Sequence, residues 1–249
     1  MEYLWWGLVF VTGTAVGSFL NVCIYRMPAG ESVVHPPSHC QACRHNLRFF
    51  DLIPVLSYLF LKGKCRYCGS RIAWQYPAVE FLTGLLFVLA LVKYGITFRA
   101  LRSIVLFSVI VPATVIDLRH KIIPDKLNLA GFILGIPLLL ESKEVFFSSA
   151  AGFLIGGGLL FVIALASRGG MGGGDIKLSA VLGLLLGWKL LLAALFLAFV
   201  AGSIAGLTML MLKLARLKEP IPFGPYLAFG AMFATLAGDK VIKWYTGFC

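Results

Sequence analysis

Long apolar stretches recur along nearly the whole chain, and they constrain its fold more than any other feature. A transmembrane helix needs about 20 consecutive apolar residues. Eight stretches approach this length, separated by charges, glycine and proline: 4–24, 76–92, 101–116, 126–140, 147–166, 176–188, 190–212 and 224–238. Only 13% of the 249 residues are charged, whereas soluble proteins carry about 25%. The sequence therefore predicts an all-α polytopic membrane protein with about eight transmembrane helices.

Two of these stretches need an interpretation of their own. The sixth, 176–188, is short for a span and rich in glycine, so a tilted span and a re-entrant segment both stay open. The first follows Met1, Glu2 and Tyr3, with no basic region before it and no small-residue cleavage site after it. This pattern favours a retained anchor over a removed signal peptide.

The lysines and arginines indicate how the chain is oriented. Its net charge is +11, but these residues are dispersed among short loops, so we expect a lipid environment and no nucleic-acid partner. Cytoplasmic loops of membrane proteins carry an excess of lysine and arginine. With eight spans, 15 of the 22 basic residues fall on the side that holds 25–75. That segment is therefore expected in the cytoplasm, with both termini outside.

The segment after the first span is the one sizeable soluble insert. The predicted domains are the first transmembrane helix (1–25), a small cytoplasmic domain (26–75) and a larger transmembrane domain (76–249). The insert carries two C-x2-C pairs, Cys40 with Cys43 and Cys65 with Cys68. Two such pairs can complete a closed tetrahedral site of four thiolates. The pattern predicts structural Zn²⁺ between helices 1 and 2.

Two disulfides or four unpaired thiols are the alternatives for these cysteines. A cytoplasmic compartment keeps thiols reduced, which weakens the disulfide reading. His39, next to Cys40, could replace one ligand, although a loop histidine is the simpler interpretation.

Two aspartates at the ends of apolar stretches are the candidate catalytic residues. Ionisable residues there are costly unless they pair or meet water. Asp117 ends the third stretch and Asp175 follows a run of glycines, while Asp125 lies across the short loop after Asp117. Two facing carboxylates share one proton, so one can activate water while the other polarises a carbonyl. The alternatives are a helix N-cap for Asp175 and an ion pair with Arg119 or Lys121 for Asp117.

Several ordered motifs resemble those of the type IV prepilin peptidases, which are GxGD-type aspartic membrane proteases. The resemblance covers almost the whole chain. It rests on Gly17-Ser18-Phe19-Leu20-Asn21-Val22, Pro37-Ser38-His39-Cys40, Ile53-Pro54-Val55-Leu56-Ser57-Tyr58, Tyr76-Pro77-Ala78-Val79-Glu80, Ile123-Pro124-Asp125, Gly172-Gly173-Gly174-Asp175-Ile176-Lys177 and Pro222-Phe223-Gly224-Pro225.

The resemblance implies an enzyme of the bacterial inner membrane that cuts leader peptides from prepilins or pseudopilins at the cytoplasmic face. It implies that Asp117 and Asp175 carry the hydrolysis. The residues that support this peptidase motif are Asp125, Gly172, Gly174 and Lys177.

The resemblance also implies a second activity, N-methylation of the new N-terminus with S-adenosylmethionine. Gly63 and Lys64 match positions associated with that activity, and their alternative is a plain turn before Cys65. Glu80 is a candidate contact to the substrate's leader or amine; its alternative is a membrane-edge anchor.

Two other classes of function are compatible with these features. An ion-coupled transporter would also have intramembrane carboxylates and helices broken by glycine, but with the carboxylates near the midplane. A zinc-bearing membrane scaffold would need no chemistry from either aspartate.

Overall fold

The computed structural model describes residues 2–167, 170–212 and 221–246. Their regular structure is helical, as predicted. The helices are α1 (Glu2–Arg26), α2 (Leu56–Phe60), α3 (Gln75–Tyr94), α4 (Phe98–His120), α5 (Asp125–Gly135), α6 (Lys143–Ala166), α7 (Gly173–Leu186), α8 (Trp188–Met211) and α9 (Gly224–Thr246). Two 3₁₀ helices, Phe49–Asp51 and Ile136–Glu141, complete them.

Within the described residues, five helices are long and apolar enough to cross a membrane. They are Leu4–Arg26, Gln75–Tyr94, Phe98–His120, Lys143–Ala166 and Trp188–Met211. A multi-pass membrane protein is thereby supported, and the count of eight spans stays a prediction.

The predicted stretches 126–140 and 176–188 correspond to shorter helices. The first is α5, of 11 residues, which continues into a 3₁₀ helix of six residues with Pro137 near its start. Proline lacks the N–H that an α-helix interior needs, so a change of helix type there is expected. The second is α7, of 14 residues, which ends at Gly187 with φ +76°, a conformation that glycine adopts readily.

Residues 1–92 form one compact unit. Its two long helices, α1 and α3, approach closely where both carry small residues. A Cβ on Gly13 would lie 2.7 Å from the Cα of Gly84, so any larger residue would separate the helices. Near the other end of α1, the Asn21 side chain donates to the Tyr76 carbonyl at 3.0 Å.

Residues 93–249 form the second unit, which contains α4 to α9. Its core includes the fully buried Leu106, Phe107 and Ile116 of α4. Helices α6 and α7 pack backbone to backbone, because a Cβ on Gly152 or Gly183 would collide with the carbonyl of the other. This packing fixes α7, whose first turn carries Asp175.

Candidate active site and metal-binding cluster

Asp117 is buried three residues before the end of α4. Its Oδ2 accepts a hydrogen bond of 2.8 Å from the backbone N–H of Gly224, the first residue of α9. A Cβ on Gly224 would lie 2.8 Å from that same oxygen. Only glycine therefore lets the start of α9 approach this carboxylate without displacing it.

Asp175 lies in the first turn of α7, close enough to Asp117 for the two carboxylates to interact electrostatically. Gly172 is the N-cap of α7, so Asp175 belongs to the helix itself. Its N–H donates to the Gly172 carbonyl at 3.1 Å. Its Oδ1 is buried and accepts no hydrogen bond from any residue that the structure describes. The fold thus brings together two carboxylates that are far apart in the sequence.

Two of the three glycines before Asp175 are explained by close approach. A Cβ on Gly174 would lie 2.9 Å from the Cβ of Ile123 and 3.0 Å from its carbonyl oxygen. A Cβ on Gly172 would lie 3.0 Å from Oδ2 of Asp175. Larger residues at these positions would displace either the loop before α5 or the Asp175 carboxylate.

Asp125 and Lys177 form an ion pair beside these residues. The Lys177 Nζ lies 2.8 Å from both carboxylate oxygens of Asp125. The pair joins the first residue of α5 to the first turn of α7. More than half of each side chain is exposed, and exposed pairs contribute at most about 1 kcal/mol. The ion pair therefore helps to position α5 relative to α7 and adds little to the stability of the fold.

Two residues of this site were not singled out by the sequence. Gly224 was noted only within a matching motif, and no side chain marks it as a donor to Asp117. Asn128 lies one turn after Asp125 on α5, is buried, and donates from Nδ2 to the Gly174 carbonyl at 3.4 Å. Its spacing from Asp125, three positions along a helix, was the one available signal.

The arrangement of Asp117 and Asp175 suits acid–base chemistry. Two neighbouring carboxylates in a poorly solvated site cannot both be charged cheaply, so they hold one proton between them. The Gly224 N–H stabilises negative charge on Asp117, and Oδ1 of Asp175, which has no hydrogen-bond partner among the described residues, can take the proton. Such a pair can activate water with one carboxyl group and polarise a carbonyl with the other.

The four cysteines of the two C-x2-C pairs come together as a candidate metal site. All four sulfurs lie within 4.8 Å of one another, and the Cys40 and Cys68 sulfurs are 3.8 Å apart. Tetrahedral Zn–S bonds of about 2.3 Å place sulfurs about 3.8 Å from each other. All four thiols are free, without disulfides. The cluster therefore fits a zinc ion.

The two pairs sit in matching turns. In the first, Cys40 N–H donates to the His45 carbonyl at 3.0 Å, and in the second Cys65 N–H donates to Ser70 at 2.8 Å. Each turn has a left-handed residue four positions after its first cysteine, Arg44 at φ 56° and Gly69 at φ 70°. The repeated geometry directs both pairs towards one point.

Asp51 stabilises the second cysteine turn through hydrogen bonds. Its carboxylate accepts hydrogen bonds from Arg66 Nε at 2.7 Å, Tyr67 Oη at 3.1 Å and the Arg48 N–H at 3.1 Å. Burial works against ionisation, but these donors outweigh it and hold the pKa of Asp51 below its ordinary value. His39, for which a loop position was the simpler interpretation, has its Nδ1 3.1 Å from the Pro37 carbonyl oxygen.

The candidate methylation and substrate residues have structural contacts. Gly63 lies at φ +68°, and a Cβ there would be 2.9 Å from the Tyr58 hydroxyl. Lys64 is exposed and pairs with Arg71 in a β-bridge. Both therefore shape the turn before Cys65. Glu80 is buried and accepts the Val55 N–H at 2.8 Å, so it ties the first turns of α3 to the stretch before α2.

Comparison with known proteins gives consistent matches along the chain. Residues 11–94 match the bacterial peptidase A24 N-terminal domain, and residues 104–207 match the type IV leader peptidase family. A Bacillus subtilis protein called prepilin leader peptidase/N-methyltransferase is 36% identical over 247 residues, which cover 96% of each chain. Proteins of the same name from Aeromonas hydrophila and Pseudomonas aeruginosa are 35% and 34% identical; the matches cover 98% and 95% of this chain and 95% and 91% of theirs. No solved structure matches this chain significantly.

Proposed function

Because the chain belongs to the type IV leader peptidase family, we propose that it removes the leader peptide from prepilins or pseudopilins, with Asp117 and Asp175 as its catalytic pair. The observation that carries this assignment is that buried Asp117, near the end of α4, and half-buried Asp175, in the first turn of α7, lie close enough to interact electrostatically within the matched region. The ion-coupled transporter considered from the sequence gains no support from any relative.

The contacts of the two aspartates assign them different tasks. Asp117, stabilised as the anion by the Gly224 N–H, takes a proton from water while the water oxygen attacks the scissile carbonyl carbon. Asp175 gives its proton to the carbonyl oxygen, which yields a neutral tetrahedral diol. Breaking the C–N bond then requires a proton on the leaving nitrogen, which Asp117 returns, while Asp175 recovers its own from the diol. The pair ends in its starting protonation state.

Neutralising either aspartate tests this assignment. Asp117→Asn and Asp175→Asn are expected to lower the rate of leader removal by at least about 10³-fold, because neither amide can exchange the required proton. The measurement is cleavage of a purified prepilin by the enzyme in detergent. Glu144→Gln is the matched control, since Glu144 is an exposed carboxylate in the first turn of α6. Full activity in either aspartate variant would overturn the assignment.

We further propose a multi-pass protein of the bacterial inner membrane with eight spans. The domain division is that expected from the sequence, with the first transmembrane helix at 1–25, the cytoplasmic domain at 26–75 and the peptidase domain at 76–249. The excess of basic residues on the side that holds 25–75 supports a cytoplasmic zinc domain and active site, with both termini outside. The 11-residue α5 and 14-residue α7 would then be two of the spans, extended by flanking turns or tilted.

Zinc is proposed as a structural ion held by Cys40, Cys43, Cys65 and Cys68. With four sulfur ligands the site has no open position for water or substrate. Its contribution when bound is to tie the two turns together, while Asp51 fixes the second turn from outside.

N-methylation of the new N-terminus with S-adenosylmethionine is proposed as the second activity, on the strength of the relatives' names. Lys64 is the testable residue, because it is exposed beside Gly63 and the cysteine cluster. Lys64→Ala is expected to leave leader removal intact and to abolish the methyl group on the product. A mass spectrum of the mature pilin reports both events. A methylated product from this variant would remove Lys64 from the proposal.

A further inference from the structure

The stretch between the two cysteine pairs exposes many large apolar side chains. Within residues 49–60, called here the apolar segment, six such residues are exposed, led by Phe60 at 83% and Phe49 at 78%; the others are Phe50, Leu52, Leu56 and Leu59. Exposed large apolar side chains concentrated in so short a segment indicate an interaction site.

The apolar segment is tied to a helix that is long and apolar enough to cross the membrane. In its centre, the Val55 N–H donates to the Glu80 carboxylate at 2.8 Å. Glu80 is the sixth residue of α3, so it lies about 8 Å along the helix from its start. The bond therefore holds the segment level with the first two turns of the span.

The backbone of the segment is shaped for this attachment. Val55 has φ 61°, a left-handed conformation that is rare for a β-branched residue. It lies at the turn between the 3₁₀ helix Phe49–Asp51 and α2, where Glu80 fixes the N–H. The hydrogen bond to the buried Glu80 carboxylate maintains this strained turn, whereas an ordinary surface loop would adopt a relaxed backbone conformation.

The residues that flank the apolar segment are those found where proteins meet lipid headgroups. Arg48 precedes it, and Lys62 and Lys64 follow it. Trp74, which is 76% exposed, stands directly before α3. Aromatic residues are enriched at the membrane interface, and basic residues beside an apolar face favour anionic lipid.

We propose that the apolar segment inserts into the headgroup region of an anionic bilayer, on the side where α3 begins. Its apolar side chains then leave water while Arg48 and Lys62 contact lipid phosphates. Asp51 belongs to the same segment and binds Arg66 and Tyr67 in the second cysteine turn. The insertion would therefore hold the metal cluster against the membrane surface. This inference does not depend on the proposed peptidase activity.

Photocrosslinking of the full-length chain in lipid nanodiscs tests the proposal. The photoreactive residue p-benzoylphenylalanine replaces Phe60 in one variant and Glu31, an exposed residue outside the segment and both cysteine turns, in the control. The nanodiscs contain phosphatidylethanolamine and phosphatidylglycerol. After illumination, mass spectrometry is expected to find about tenfold more lipid adduct at position 60 than at position 31.

Two results would overturn the proposal. Equal lipid labelling at the two positions would show that the segment is no closer to lipid than the control position. A position-60 crosslink to protein in place of lipid would assign the surface to a polypeptide partner. Both side chains are exposed, so each variant should melt at the temperature of the unmodified chain, which checks that it is folded.

Discussion

Gly224 contributes no side chain, yet its N–H is the donor that the structure shows for the Asp117 carboxylate. Gly224 affects the Asp117 carboxylate in two ways. Its backbone supplies the hydrogen bond, and its missing Cβ leaves room for the carboxylate oxygen.

Adding one methyl group at Gly224 is expected to damage the site. In Gly224→Ala the new Cβ would begin 2.8 Å from Oδ2 of Asp117, so the carboxylate or α9 must move. A displacement of about 1 Å can lower catalysis by about 100-fold. Prepilin cleavage rates measure the effect. Gly158→Ala is the control, because a Cβ there meets no atom within 4 Å. Equal activity of the two variants would show that Gly224 does not position Asp117.

The sequence identified the acidic residues of this site, but not the residues that hold them in position. Asp117 and Asp175 stand out because charge at the end of an apolar stretch is costly. Gly224 acts through its backbone N–H. Asn128 acts through one hydrogen bond from its side-chain amide. Nothing in the sequence shows which distant group such donors meet, since that depends on how the helices pack.

At the scale of whole elements, the two cysteine turns should depend on the ion they share. We expect about one zinc per chain, and chelation should make all four thiols reactive, because the 26–75 segment contains few buried apolar residues to hold the turns together. Metal analysis and thiol alkylation measure this. Cys23 is an internal control, since it is buried in α1 away from the cluster.

A different outcome would contradict the metal assignment directly. If the purified chain contains no zinc and all four cysteines react before chelation, the cluster is a set of free thiols.

The element boundaries show which features of the sequence were sufficient for prediction. The long uninterrupted stretches 76–92 and 190–212 correspond to α3 and α8, whose ends differ from the prediction by one or two residues. The stretch 126–140 was predicted as a single segment, although Pro137 lies within it, and it divides into α5 and a 3₁₀ helix. Hydropathy reports burial in lipid or protein, but it does not report the change of helix type.

For the molecule as a whole, the sequence predicted the helical class, and the matches to relatives confirm the family. The sequence did not indicate that α4, α7 and α9 converge on one pair of carboxylates. That meeting depends on close backbone packing, as at Gly152 with Gly183 and at Gly174 with Ile123. Apolar composition is nearly uniform along these helices, so it does not indicate which faces pack together.

The intact mass of a prepilin co-expressed with this enzyme reports leader removal and methylation together. With the native chain, the pilin should have lost its leader and gained one methyl group. With Asp175→Asn, only the full-length prepilin should be found. A pilin without its leader in cells that carry the Asp175→Asn variant alone would show that Asp175 is not required for cleavage.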